Sequence, residues 1–155
     1  MSDNIVRSEN FTLYHAGAMA EWGQYQLEPP HVPMKLKGKF FLKEVLGCNG
    51  MEMSLNSIPP GGGLPFFHKH QDNDEVYVVV GGRGQFLVDS RCLDVEEGSV
   101  IRMAPSVVRT FRNNSSEPMY FLCIQYRADS VIQGRTSDGR GVEEKPVWPA
   151  VASAK

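Results

Sequence analysis

The hydrophobic positions along this chain fall in short runs, most of them alternating with polar ones. Residues 39–46 carry Phe40, Phe41, Leu42, Val45 and Leu46. Residues 51–58 alternate Met51, Met53, Leu55 and Ser57 with Glu52, Ser54, Asn56 and Ile58. Similar runs occupy 64–70, 75–80, 85–88, 91–95, 99–103, 107–112 and 119–127. A period of two over a few residues is the signature of a strand with two different faces. The breaks are rich in turn formers: Pro59-Pro60-Gly61-Gly62-Gly63, Gln71-Asp72-Asn73-Asp74, Gly81-Gly82-Arg83-Gly84, Glu96-Glu97-Gly98 and the stretch from Asn113 to Pro118. Many short strands with no helical period between them predict an all-β, antiparallel sandwich or barrel rather than βαβ units.

Three segments follow. Residues 1–35 form an irregular N-terminal arm, where Pro29, Pro30 and Pro33 prevent a continuous helix and a short helix over 17–25 is the one element expected. Residues 36–127 form the barrel. Residues 128–155 form a polar tail expected to pack on or near it. Trp148, between Pro146 and Pro149, is the natural anchor; a loose end is the alternative.

Composition narrows the function classes. The chain has 155 residues, enough for one domain whose core needs no disulfides. With 16 Lys+Arg against 18 Asp+Glu, no basic excess points to nucleic acid. The odd set Cys48, Cys92 and Cys123 lacks CxxC spacing and reads as reduced thiols. Neither a leader-like apolar stretch nor a run of the roughly 20 residues that span a bilayer is present. The expectation is a cytoplasmic protein that engages neither membrane nor nucleic acid.

The candidate chemistry sits at His68, His70 and Glu75. On a strand, His68 and His70 share a face. If Gln71 to Asp74 is a four-residue hairpin loop, Glu75 directly opposes His70, about 4.5–5.5 Å away at Cβ. Two imidazoles and a carboxylate on one face make a facial set suited to Fe(II), and able to hold Mn, Ni or Zn, with coordination positions left open.

The segment Gly62-(x5)-His68-x-His70-(x4)-Glu75-(x6)-Gly82 resembles the first motif of the cupin superfamily at every fixed position. The second motif is only partly matched. Gly98 and Asn113 stand at the right separation, but Ala104 replaces Pro, Ser106 replaces Gly and Arg109 replaces the metal-binding His. The similarity spans roughly residues 40–127 of the chain. It implies a jelly-roll β-barrel, a divalent transition metal on His68, His70 and Glu75, and a homodimer in which an N-terminal strand extends the partner's sheet.

Arg109 cannot ligate a metal, because a guanidinium stays protonated and has no acceptor. Three readings stay open. Arg109 binds an anionic group of the ligand beside a three-residue metal site. Or it pairs with Glu75 in a metal-free site. Or Gln125 or Cys123 supplies the missing ligand. Tyr77 is in phase with Glu75, Phe66 with His68 and Phe111 with Arg109, so these side chains are expected to wall the cavity. Arg102 reads as a solvated strand residue, and Gly81–Gly84 as a hairpin turn rather than a phosphate loop.

The function expected is a metal-dependent cupin that binds a small polar or anionic organic molecule. If catalytic, it would be a dioxygenase before an isomerase or lyase. The alternative is a metal-free binding or sensing module built on a Glu75–Arg109 ion pair.

Overall fold

The computed structural model describes residues 4–28 and 35–149. Pro29, Pro30, Pro33 and His31 lie outside that set. Among the described residues there are twelve strands: β1 (Ile5–Arg7), β2 (Thr12–Tyr14), β3 (Gln26–Leu27), β4 (Leu36–Lys37), β5 (Lys39–Phe41), β6 (Glu52–Ile58), β7 (Asn73–Gly81), β8 (Arg83–Val88), β9 (Arg91–Glu96), β10 (Val100–Met103), β11 (Arg109–Arg112) and β12 (Met119–Arg127). Every pairing is antiparallel. A five-stranded sheet runs β10-β7-β12-β6-β5 and a three-stranded sheet runs β11-β8-β9.

The long strands carry two apolar faces, and each face has its own cover. Tyr77, Val79, Phe121, Cys123 and Ile58 point inward and meet Phe86, Val95 and Met103 in the barrel core. The rings of Tyr77, Phe86, Phe111 and Phe121 pack edge-on or tilted, with centroids 4.9 Å apart for Tyr77–Phe86 and 5.1 Å for Phe111–Phe121. On the other face, Met53, Leu55, Val80, Tyr120 and Leu122 pack against Trp22, Tyr14 and Tyr25 of the arm.

The described part of the arm therefore holds more regular structure than the one helix expected. It holds a β1–β2 hairpin, a 3₁₀ helix over Met19–Gln24 within the stretch expected to be helical, and β3, which pairs with β4 at the start of the barrel segment. Trp22 is 8% exposed and meets Tyr120 edge-on.

Three other expectations change. The run 39–46 is a strand only to Phe41; Leu42 turns the chain into helix α1 (Lys43–Leu46), closed by Gly47 in the left-handed conformation. The run 64–70 is not a continuous strand. It bridges Arg109 at His68, Gly63 just before it bridges Arg112, and Pro65 between them, with no N–H, interrupts the ladder. Finally, Trp148 does not anchor the tail: it is 84% exposed, and Val131, Ile132, Val142 and Val147 are exposed with it. Flanked by prolines and charged residues, this stretch offers no continuous apolar face to bury. Among the described residues no helix is long and apolar enough to cross a membrane.

Candidate metal centre

Glu75 lies inside β7, so Asn73 and Asp74 are strand residues and the expected four-residue hairpin does not exist. The two histidines reach Glu75 by another route. Their segment lies beside β11: His68 exchanges backbone hydrogen bonds with Arg109, and the His70 N–H donates to the Pro105 carbonyl. Glu75 pairs with Met103 on one side and Gln125 on the other, within the opposite sheet. The side chains thus converge across the barrel rather than between hairpin neighbours. The period of two still holds along 62–70, where even-numbered residues are half-buried and odd-numbered ones exposed.

The ligand atoms of His68, His70 and Glu75 all lie within 4.8 Å of one another. His70 Nε2 is 3.0 Å from Glu75 Oε1 and His68 Nε2 is 3.7 Å from Oε2. Despite the proximity, His70 Nε2 makes no aligned hydrogen bond, and His68 Nδ1 is also buried without a partner. The carboxylate is asymmetric. Oε2 accepts from the Tyr77 hydroxyl at 2.6 Å and from Arg109 Nε and Nη2 at 3.0 and 2.5 Å. Oε1 accepts only the long Cys123 thiol contact, at 3.4 Å.

Burial by itself would raise the Glu75 carboxyl. Interactions with His68, His70, Tyr77 and Arg109 outweigh it and hold the group well below the usual carboxylate range. Burial pushes the Cys123 thiol up to about 12, with the Glu75 charge adding to it, and raises the Tyr77 phenol too. Both groups are therefore neutral proton donors toward Glu75.

This centre forms the floor of a cavity of about 500 Å³. Its walls include Phe66, Phe111, Phe121, Tyr77 and Gln125, together with Leu36, Phe41, Asn56 and Lys39.

The sequence comparisons agree with this architecture. Residues 54–125 match the family model described as Cupin domain. A cupin protein from Bacteroides fragilis is 31% identical, with a TM-score of 0.65, and the alignment covers 74% of this chain and 99% of that one. The chain belongs to the cupin family. An uncharacterized protein of Methanocaldococcus jannaschii is 30% identical over 61% of this cupin and 78% of its own length. A Thermotoga maritima structure described as a predicted oxalate decarboxylase shares the fold at 18% identity and a TM-score of 0.57, over 71% of this chain and 96% of that one.

Within this cupin, Tyr77, Phe66 and Phe111, placed by their phase with the site residues, line the cavity, and so does Gln125, whose facing the sequence does not fix. Arg109 does not. It is fully buried, its Nε and Nη2 face Glu75, and Nη1 donates to the carbonyls of Val107 at 2.8 Å and Pro105 at 3.3 Å. With its donors directed at the carboxylate and the backbone, it is not placed to bind a ligand's anion. The Glu75–Arg109 pair of the alternative reading is present. Cys123 touches Glu75 but falls outside the three-residue ligand cluster, and Gln125 sits beside Glu75 in register.

Lys39 is the cavity residue that sequence reasoning missed. Its strand was legible, but its facing depends on register with Asn56, which one sequence does not reveal. The inward polar pair Ser54 and Asn56 was the available signal, since polar groups on a core face need a partner.

Proposed function

We propose that this cupin holds a divalent transition metal (Fe, Mn, Ni or Zn) on His68, His70 and Glu75, and binds a small organic molecule in the cavity above it. One observation carries the reading: the buried His70 Nε2, without an aligned hydrogen bond, stands 3.0 Å from the less saturated oxygen of a buried carboxylate, and a ligand atom of His68 lies within 4.8 Å of both. An unpartnered buried polar atom is costly, and a cation would satisfy His70 Nε2 and the carboxylate together. Donors bound to one ion at about 2.1 Å lie roughly 3 Å apart when adjacent, and the His70 Nε2 to Glu75 Oε1 distance is 3.0 Å.

A metal bound there would polarise a ligand carbonyl or bring ligand and oxygen together, so dioxygenase activity is the first to assay, ahead of isomerase or lyase activity. The chain's own residues set the surroundings. Arg109 and Tyr77 fix the carboxylate through Oε2 and leave Oε1 turned toward His70. Phe66, Phe111 and Phe121 restrict water.

The Glu75–Arg109 pair supports a second reading. The two charges already cancel, so the cavity is competent to bind a neutral or anionic molecule without metal. Calorimetric titration with Mn(II) or Zn(II) separates the two. The metal reading expects one saturable site in the wild type, abolished in His68→Ala. The ion-pair reading expects none in the wild type and a new site in Arg109→His, where an imidazole replaces the cation.

A further inference from the structure

We propose that Lys39 is the anion-recognising residue of this cavity, and that the molecule it takes is a small organic carboxylate with an apolar body. The inference rests on the cavity being the ligand site and does not require the metal.

Lys39 is at the start of β5, on the inner face of the five-stranded sheet. Its register partner is Asn56, whose own partner across β6 and β12 is Phe121 of the barrel core. The Lys39 ammonium donates to Ser54 Oγ at 3.1 Å and to Asn56 Oδ1 at 3.0 Å. Asn56 is locked in the orientation this requires. Its amide N–H groups donate to the Ser54 carbonyl and hydroxyl oxygens and to the Phe121 carbonyl, so only its oxygen is left to face the lysine.

An ammonium has three donors, and these two bonds leave one free. Among the described residues no carboxylate lies within ion-pair distance of it. Its company is apolar: Phe41 sits under the ammonium at 4.9 Å, and Leu36, Leu64 and Phe66 line the same cavity. A half-buried cation held by neutral groups, with a donor free and a cavity beside it, lacks a counter-ion. Burial accordingly lowers the amine from its ordinary value.

One monocation with one free donor suits a carboxylate. A phosphate dianion is usually gripped by several donors or a guanidinium fork. The cavity also sets the second end of the ligand. The lysine reaches Ser54, which pairs in register with Cys123, and the Cys123 thiol touches Glu75. A short acid held at Lys39 therefore extends across the floor toward His68, His70 and Glu75, with its apolar part against the phenylalanines.

The test uses the full chain with phenylpyruvate, its neutral amide and phenyl phosphate as probes, in the presence and absence of Mn(II). Binding is read by calorimetry and by the side-chain nitrogen shift of Lys39. Phenylpyruvate is expected to bind at least about tenfold tighter than the amide, the scale of one hydrogen bond to a charged group. Lys39→Met is expected to remove that preference while keeping the wild-type metal content, and Lys43→Met, an exposed helix lysine, to retain it. Equal affinity for acid and amide, an unchanged preference in Lys39→Met, tighter binding of phenyl phosphate, or no saturable binding of any probe overturns the proposal. Should Lys39→Met fail to fold, the acid-to-amide ratio and the Lys39 shift in the unaltered protein decide. Lys39-dependent acid binding by a protein that takes no metal would sink the metal reading and leave this one standing. Metal binding with no preference for the acid would do the reverse.

Discussion

Glu75 carries donors on one oxygen and stands nearly bare on the other, and this division governs its chemistry. Its carboxyl is held below the usual range in the fold, so ionisation is coupled to stability. For a depressed carboxyl the contribution is fully present above the unfolded value, about 4.3, and is lost as pH falls through that range toward the folded value. Chemical unfolding at pH 7 and pH 3 is therefore expected to show a larger loss of stability in the wild type than in Glu75→Gln; an equal or smaller loss would contradict this. Arg109→Met leaves the carboxylate buried without its cation. An expected cost of about 3–5 kcal/mol, read from denaturant midpoints at constant slope, follows from breaking one side of a buried pair. The motif spacing made His68, His70 and Glu75 legible, because ligand spacing survives whichever strands carry it. The role of Arg109 was legible only as a set of alternatives. A guanidinium in place of an imidazole says what cannot be bound, and only the packing shows where the fork points.

At the scale of elements, the strands were readable wherever one face was apolar and the other polar. The His68–His70 segment kept its alternation without forming a strand, since Pro65 breaks the ladder while leaving the pleat. Partner choice was the hidden quantity. A run of alternating residues does not state whether it pairs with the next run or with one forty residues away, which is why the expected hairpin gave way to a site assembled across the barrel. The arm's docking was equally hidden, because its cover of the outer face depends on Trp22 alone being deeply buried within a polar stretch. Trp22 and Trp148 offer a direct check, being 8% and 84% exposed. Trp22→Phe is expected to leave a red-shifted emission readily quenched by acrylamide, and Trp148→Phe a blue-shifted, protected one; similar quenching of both would refute the packing of the arm. Gly38 links arm to barrel. It adopts φ +72°, and an added Cβ would fall 2.1 Å from the Ser57 carbonyl oxygen. Gly38→Ala is expected to lower stability by at least about 1–2 kcal/mol, the cost of a left-handed non-glycine residue before any clash, and the melting temperature would report it.

For the whole molecule, one barrel supplies both a polar floor and an apolar cavity, and the arm closes the opposite face of the same sheet. Pairing with a second copy is proposed at this scale. β9 is an outer strand whose residues are mostly exposed, and such an edge invites another chain. β1 pairs with β2 of its own chain in a two-stranded sheet, so one of its two edges is used there. Light scattering is expected to give twice the 17.3 kDa chain mass; the single-chain mass would rule the dimer out. The central claim is that the three converging side chains hold a metal ion. Elemental analysis of untagged protein tests it most directly. The expected result is about one equivalent of Fe, Mn, Ni or Zn per chain, a single ion being what one three-ligand site holds, and its disappearance in His68→Ala and His70→Ala. Protein that stays metal-free after incubation with each of these ions would contradict it.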